Sequence, residues 1–338
     1  MINIAFAGLR HGHIFSLYNE AIGNPEYTVL GAFEENEDAR RVAEAKGLMC
    51  NYESLDALLA DERVDVVALG GCYGMRGGVA IKALRAGKHV IADKPLTTSL
   101  EELEIIEREA RLNNKKVSCM FTMRYEARIN GAKRLFESGA LGEIAAISFG
   151  GQHPLQYGRR PDWYFEENMH GGVINDIAIH GIDTLSYAFG IKADRINAAR
   201  CWNKLAQSEP HFLDCAQFML TAQNGAGILA DVSYAIPDGV EFHLPYYWQF
   251  YVWGTKGVLS FSHRTLGVYY LAGDPDPHEL EEAMVSTYLD DFLKMLNGEE
   301  DVILPMDDVL SSTRKTLEIQ GYADQNNTLY KRRISCLS

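Results

Sequence analysis

Over the first 120 residues, short apolar runs alternate with amphipathic stretches. The runs, each of strand length, fall at 2–7, 28–33, 64–69, 89–92 and 116–121. Between them, residues 14–22, 38–46, 54–60, 77–86 and 100–113 carry apolar positions at helical spacing. Strands alternating with helices predict right-handed crossovers and a parallel sheet covered on both faces. Local punctuation agrees: Gly87 follows the helix ending at Ala86 as a C-cap, and Ser99 with Glu102 forms a capping box. After about Met123 the texture changes. A helix is expected at 127–138, stopped by Gly139 and Gly142, then alternating runs at 144–150, 196–202, 215–221, 227–233, 248–253 and 257–261. Such runs read as antiparallel strands with one buried and one open face. One strongly helical stretch, 173–189, lies among them, and helices return at 279–297 and 307–324. The expected fold class is α/β: a doubly wound parallel sheet over residues 1–122, then an α+β domain over 123–338 with a large, open, mostly antiparallel sheet.

Composition narrows the class. The chain has 338 residues, which suits two domains, and its 47% hydrophobic and 23% charged residues are those of a globular protein. A formal net charge of −14 repels phosphate backbones and anionic lipid, so neither nucleic acid nor a membrane surface is an expected partner. Apolar runs stop well short of the ~20 residues of a membrane span, and MINIAFAGLRHGH lacks the features of an export signal. The six cysteines are far apart without a C-x-x-C pair, which fits buried thiols in a reducing compartment; the expected location is the cytoplasm.

The first strand runs into Gly8-Leu9-Arg10-His11-Gly12-His13, and a helix follows. In a dinucleotide fold the pyrophosphate sits at that helix N-terminus, held by backbone N–H groups and the helix dipole. Here the G-x-G-x-x-G pattern is degraded: Arg10 and His13 replace its second and third glycines. Its context supports it nonetheless, because Glu34 stands at the end of the next strand. A carboxylate there would accept from the adenosine ribose hydroxyls and repel a 2′-phosphate, favouring NAD over NADP. Glu35 reads instead as the opening of the following helix. Arg10 either lies along a phosphate, which keeps NADP open, or is a solvated loop residue.

Asp93-Lys94-Pro95 follows the strand at 89–92, at the sheet edge where ligands bind in this architecture. Lys94 would be a charged donor able to polarise a hydroxyl or carbonyl. On a helix, Asp176, His180 and Asp183 fall at i, i+4 and i+7, one face of an otherwise apolar segment. A carboxylate one turn from an imidazole prepares a general base; a satisfied core histidine is the plainer alternative. A divalent metal on Asp176, His180 and His153 or His170 is a third, but no closely spaced His or Cys pair completes that shell, and no metal is expected.

Three motifs together resemble the glucose–fructose oxidoreductase / inositol dehydrogenase (GFO/IDH/MocA) family. They are the strand–glycine loop with Gly8, the segment Ala86-Gly87-Lys88-His89-Val90 leading to Asp93-Lys94-Pro95, and Gly171-Gly172-x-x-x-Asp176-x-x-x-His180-x-x-Asp183. Met123-Arg124-Tyr125 and Trp253-Gly254-Thr255-Lys256-Gly257 are weaker echoes, and the likeness covers nearly the whole chain. Asp93 replaces the family's Glu, and Gly70-Gly71-Cys72-Tyr73-Gly74-Met75-Arg76 stands where the family commonly has T-P-N-x-x-H.

The resemblance implies a Rossmann domain binding NAD, with NADP as the alternative, and a sugar, polyol or related substrate bound between the domains. It implies that Lys94 hydrogen-bonds the reacting oxygen, that His180 takes the hydroxyl proton, and that Asp176 binds substrate or positions His180. Gly8, Arg10, Gly12, His13, Glu34, Gly71, Cys72, Arg76, Asp93, Lys94 and Pro95 are then the candidate cofactor residues. Substrate candidates are Lys94, Arg124, Tyr125, His153, Tyr157, Arg160, Trp163, Asp176 and His180, polar and aromatic groups suited to a hydroxylated ring. The C-terminal sheet, with the aromatic segment 246–253, would form a homodimer or homotetramer. The leading expectation is an NAD(P)-dependent dehydrogenase; an NAD-retaining glycosidase and a nucleotide-binding sensor are the rivals.

Overall fold

The computed structural model describes residues 1–240 and 247–335, with side chains described for 1–240 and 247–326. Tyr246 and Cys336 lie outside the described residues. The chain forms two compact units: residues 1–120, 167–171 and 287–314 in one, and 121–166, 172–286 and 315–338 in the other.

The first unit holds a five-stranded sheet of β1 (Ile2–Ala7), β2 (Tyr27–Phe33), β3 (Val66–Leu69), β4 (His89–Ala92) and β5 (Val117–Cys119), in the order β2-β1-β3-β4-β5. Every pairing is parallel. The helices between are α1 (Ile14–Gly23), α2 (Glu37–Ala45), α3 (Leu55–Ala60), α4 (Tyr73–Arg85) and α5 (Leu100–Leu112). β3 is buried throughout, as a strand covered on both faces must be. Ser99 accepts from the Glu102 amide at 3.3 Å, but Glu102 turns its carboxylate to the Thr97 hydroxyl at 2.6 Å, so only half of the expected capping box forms.

The helix expected at 279–297 is shorter. Asp274–Glu279 is a strand, and the helix α8 (Tyr288–Asn297) starts behind the N-cap Thr287, whose hydroxyl accepts from the Asp290 amide. Pro275 and Pro277 are tolerated in that strand because it is the sheet's edge. Leu289, Phe292 and Met295 of α8 enter the core of the first unit with Leu17 and Ala21 of α1, and the Tyr27 hydroxyl donates to the Leu289 carbonyl at 2.8 Å.

The second unit is built on eight strands: β6 (Ile144–Pro154), β7 (Ala193–Trp202), β8 (Cys215–Ala222), β9 (Gly227–Ile236), β10 (Gln249–Gly254), β11 (Gly257–Phe261), β12 (Val268–Leu271) and β13 (Asp274–Glu279). Their order is β13-β12-β11-β10-β6-β9-β8-β7, antiparallel except for the parallel pair β6–β9. α6 (Ala127–Glu137) and α7 (Ile179–Phe189) pack together on one face; the Phe189 ring lies against Phe136 and Phe261. Met219, Leu229, Tyr251, Trp253 and Tyr270 are exposed at alternate strand positions. α9 (Met306–Ser335) closes the chain. Among the described residues, no helix is long and apolar enough to cross a membrane.

Candidate functional site

In the first unit the strand order reverses direction between β1 and β3, and ligands of such sheets bind in the crevice outside the carboxyl ends at that point. A cavity of about 480 Å³ lies there, lined among others by Gly8, Arg10, Phe33, Glu34, Cys72 and Met75. Gly8 has φ +75°, and a Cβ on it would come within 2.8 Å of the Gly71 backbone, so the first glycine of the degraded loop is required by close approach. A Cβ on Gly12 would meet nothing within 4 Å.

Glu34 is buried and acts as the loop's tether. One carboxylate oxygen accepts from the Leu9 amide at 2.5 Å; the other accepts from the Asn36 amide at 2.8 Å and from Arg10 Nε at 3.5 Å. Arg10 also pairs with Glu35 at 3.1 Å. The expectation that Glu35 opens α2 is corrected: Asn36 is the N-cap, accepting from the Ala39 amide, while Glu35 serves Arg10.

A buried polar chain crosses the ends of β1, β3 and β4. The Tyr73 hydroxyl donates to His11 Nε2 at 3.0 Å, His11 Nδ1 bonds Asp93 Oδ2, and Arg76 donates to the same oxygen at 2.9 Å. The proton assignment follows from these bonds. Burial lowers the His11 pKa to about 4 despite the Asp93 charge. Burial alone would raise the Asp93 carboxyl, but the His11 and Arg76 charges overcome it and hold the group well below the carboxylate range. His13 is more than half exposed, its Nδ1 3.5 Å from Asp93 Oδ1. The ligand atoms of His11, His13 and Asp93 lie within 4.8 Å of one another. Because Arg76 and His11 already share Asp93 Oδ2, the cluster reads as a hydrogen-bonded chain before it reads as a cation site.

Arg76, expected at the cofactor, is among the residues lining this crevice, and its guanidinium is bonded to the protein. It is 1% exposed, and each guanidinium nitrogen donates to a protein oxygen. Lys94 is buried behind the cis Lys94–Pro95 bond, its Nζ 5.9 Å from the Tyr73 ring centroid. His170 belongs to this unit, its ring 5.6 Å from that of Tyr73. Gly74 makes room for its segment: a Cβ there would fall 1.9 Å from the Asn168 carbonyl oxygen.

In the second unit the expected helix over 173–189 begins as a π-helical turn, Ile174–Ala178, and continues as α7. Such turns are frequent at functional sites. Gly172, at φ +100°, lets Gln320 Oε1 come close and accept from the Ile174 amide at 3.2 Å. Asp176 is buried and accepts from the Tyr234 hydroxyl of β9. Burial first, then the Asp176 charge, raises the Tyr234 pKa well above the usual phenol value, so the phenol stays protonated and donates. Arg160 lies 4.7 Å over the Tyr234 ring and 4.7 Å over Tyr164, donating to the carbonyls of Leu155 and Pro154. The His180 ring is 5.6 Å from Trp248, and His153 is 5.7 Å from the same indole. Asp176, His180, His153 and Arg160 thus share one cluster with Tyr234 and Trp248.

Arg124, expected at the substrate, forms a buried bidentate pair with Asp183, at 2.8 and 2.7 Å, which also removes Asp183 from the polar stripe. The exposed Tyr157 bonds Ser208 and Glu209 at the surface. Trp163 is buried against Tyr164, and Tyr125 is half-buried. Sequence reasoning missed His11, Tyr73, Tyr234 and Trp248. The H-x-H spacing of His11 and His13 was a usable signal for the first; Tyr234 falls just past the expected strand 227–233, in a strand that runs on to Ile236.

Residues 2–121 match the family model described as "Oxidoreductase family, NAD-binding Rossmann fold", and residues 129–260 match the GFO/IDH/MocA C-terminal domain. The chain belongs to the GFO/IDH/MocA family of oxidoreductases, and its first unit is the family's NAD-binding Rossmann domain. An uncharacterized oxidoreductase of Schizosaccharomyces pombe is 30% identical over 142 residues, 41% of this chain and 38% of that one. The matches to this relative and the next, a cyanobacterial oxidoreductase, span about two fifths of the relatives' lengths. Inositol 2-dehydrogenase 2 of Saccharopolyspora erythraea is 24% identical over 71% of this chain and 68% of its own. The crystal structure of an oxidoreductase from Erwinia carotovora superposes with a TM-score of 0.85 at 23% identity, covering 96% of this chain and 99% of that one, which shows the same fold.

Proposed function

We propose that the protein is an NAD-dependent dehydrogenase that moves hydride between the nicotinamide and a carbinol carbon of a sugar, polyol or related hydroxylated molecule. The carrying observation is the open crevice at the β1/β3 switch point, with a buried lysine, Lys94, at the end of β4. The crevice residues suit a dinucleotide: Gly8 permits close backbone approach, and Glu34 and Glu35 at the end of β2 disfavour a 2′-phosphate. Arg10 is already paired with both carboxylates, which supports NAD over NADP. When bound, NAD supplies the hydride acceptor. Lys94 donates to the reacting oxygen and stabilises developing alkoxide charge. His180 takes the hydroxyl proton, and Asp176 orients it or holds a substrate hydroxyl. The exposed apolar positions of the eight-stranded sheet support a homo-oligomer through that face.

The test is a pair of fluorescence titrations with NADH and NADPH, then a screen of polyols, aldoses and sugar acids followed by NADH absorbance. Saturation by NADH, weaker NADPH binding and turnover of a hydroxylated substrate are expected. If neither nucleotide binds and mass spectrometry finds none already held, the reading falls.

A further inference from the structure

We propose that Arg76 is a positioning residue for Lys94: its guanidinium fixes the backbone of the β4–α5 turn and so sets where the lysine ammonium is held. Arg76 Nη1 donates to three successive carbonyls, those of Asp93 at 2.8 Å, Lys94 at 2.6 Å and Pro95 at 3.2 Å. Nε donates to the Gly71 carbonyl at 2.9 Å in the β3–α4 loop, and Nη2 to Asp93 Oδ2 at 2.9 Å. One buried fork therefore ties two loops of the sheet edge together and takes up consecutive carbonyls of the turn that carries Lys94. Their number exceeds what neutralising one carboxylate requires.

The side-chain end of Lys94 is set by the same assembly. The Tyr73 ring has the Arg76 guanidinium carbon 4.6 Å from its centroid and Lys94 Nζ at 5.9 Å, and its hydroxyl is anchored on His11. Arg76 thus holds the turn from below while Tyr73, one helical turn earlier on α4, meets the ammonium. A lysine could not replace this arginine: a single ammonium lacks the planar fork that serves two loops at once. The short side chain of Asp93 belongs to the same arrangement, because its carboxylate meets Nη2 of the guanidinium whose Nη1 holds its own and the next two carbonyls.

The inference rests on the dehydrogenase reading only in giving Lys94 its task, so its test needs neither substrate nor nucleotide. Lysines of the full-length protein are acylated with limiting acetic anhydride, and the rate at Lys94 is read by peptide mass spectrometry against exposed Lys256. In the wild type, Lys94 should label at least about tenfold more slowly than Lys256; equal rates overturn the proposal. Arg76→Lys keeps the charge beside Asp93 but loses the fork, and should raise Lys94 labelling about tenfold with Lys256 unchanged. In Arg76→Ala, added guanidinium ion at sub-denaturing concentration should restore the slow rate. A purely structural arginine would lower the melting temperature of these variants and leave the Lys94 rate alone, which overturns the proposal. Asp93→Asn separates the carbonyl clamp from the carboxylate: Lys94 labelling should stay within about twofold of wild type. An increase as large as that of Arg76→Lys assigns the positioning to the carboxylate and overturns the inference. Where turnover is established, Arg76→Lys should lower kcat.

Discussion

In the first unit the chemistry-bearing side chains come off separate loops at the sheet edge and are fixed by backbone carbonyls and one buried guanidinium. In the second, Asp176 and His180 come off a single helical segment and are surrounded by aromatic rings and one phenol. The loop-built site concentrates formal charge: Glu34 with Arg10, Asp93 with Arg76. In the helix-built site the buried ion pair Arg124–Asp183 draws on the same helix that carries His180. The difference teaches which residues can be exchanged singly. Removing a member of the loop network frees a loop, whereas removing a helix-borne group leaves its scaffold standing.

His180→Ala gives the sharpest form of that contrast. Turnover should fall by about 10²–10⁴, the usual weight of a positioned acid/base, with NADH affinity unchanged. Parallel kinetics and fluorescence titration read both. Loss of NADH binding together with turnover would break the separation of roles between the two units.

Arg124→Ala turns to stability. It leaves Asp183 buried without its bidentate partner, and breaking such a pair costs about 3–5 kcal/mol. Urea unfolding should show the loss, and a compensating Asp183→Leu in the same chain should recover much of it. A mild effect of the single change would return Arg124 to the list of substrate residues.

How much of this was legible follows from the same contrast. Asp176 and His180 were visible because four residues on one helix is a spacing with a geometric meaning. The parallel sheet was visible because β3 is apolar at every position, as a doubly covered strand must be. Spacing could not show that Asp183, on the same stripe, turns to Arg124 of a distant segment. Nor could it show that Arg76 donates to carbonyls of two loops, because backbone acceptors leave no mark in the sequence. The strand Asp274–Glu279 was missed because two prolines argue against a strand until it is known to be an edge. Glu34 stands at the end of β2, and its hold on the Leu9 amide was hidden because backbone amides leave no mark in the sequence either.

Acid should loosen the first unit before the second. His11 and His89 both have their pKa lowered to about 4, in each case by burial above all, and His89 Nδ1 accepts from the Lys116 amide, which requires the neutral ring. These folded values lie below the ~6.5 of an unfolded histidine. The unfolded chain therefore takes up protons first, so stability is complete above about pH 6.5 and is lost as pH falls from there to about 4. For His11 the loss is about 3 kcal/mol, with less from the half-buried His89. The contribution of Asp93, held ionised, persists through this window and fails only below the usual carboxylate range. Hydrogen exchange at pH 7.5 and 5 should show protection lost first in β1, β3 and β4; uniform loss across both units would erase the distinction.

Tyr234→Phe asks how far the helix-built site depends on its sheet. The phenol is buried, protonated and bonded to Asp176, so its removal deletes one donor to a carboxylate without changing the volume of the ring. A hydrogen bond to a charged acceptor is worth about 1.5–3 kcal/mol, part of which falls on stability and part on the orientation of Asp176. Turnover should drop by about tenfold, an effect smaller than that of His180→Ala because the proposed base itself remains. If Asp176 serves to orient His180, the pH–rate profile should shift along with kcat. If it holds a substrate hydroxyl, KM should rise and the profile should stay in place. An unchanged kcat and KM with a lowered melting temperature would make Tyr234 a strut of the sheet, leaving the helix-built site self-sufficient on its π-helical turn.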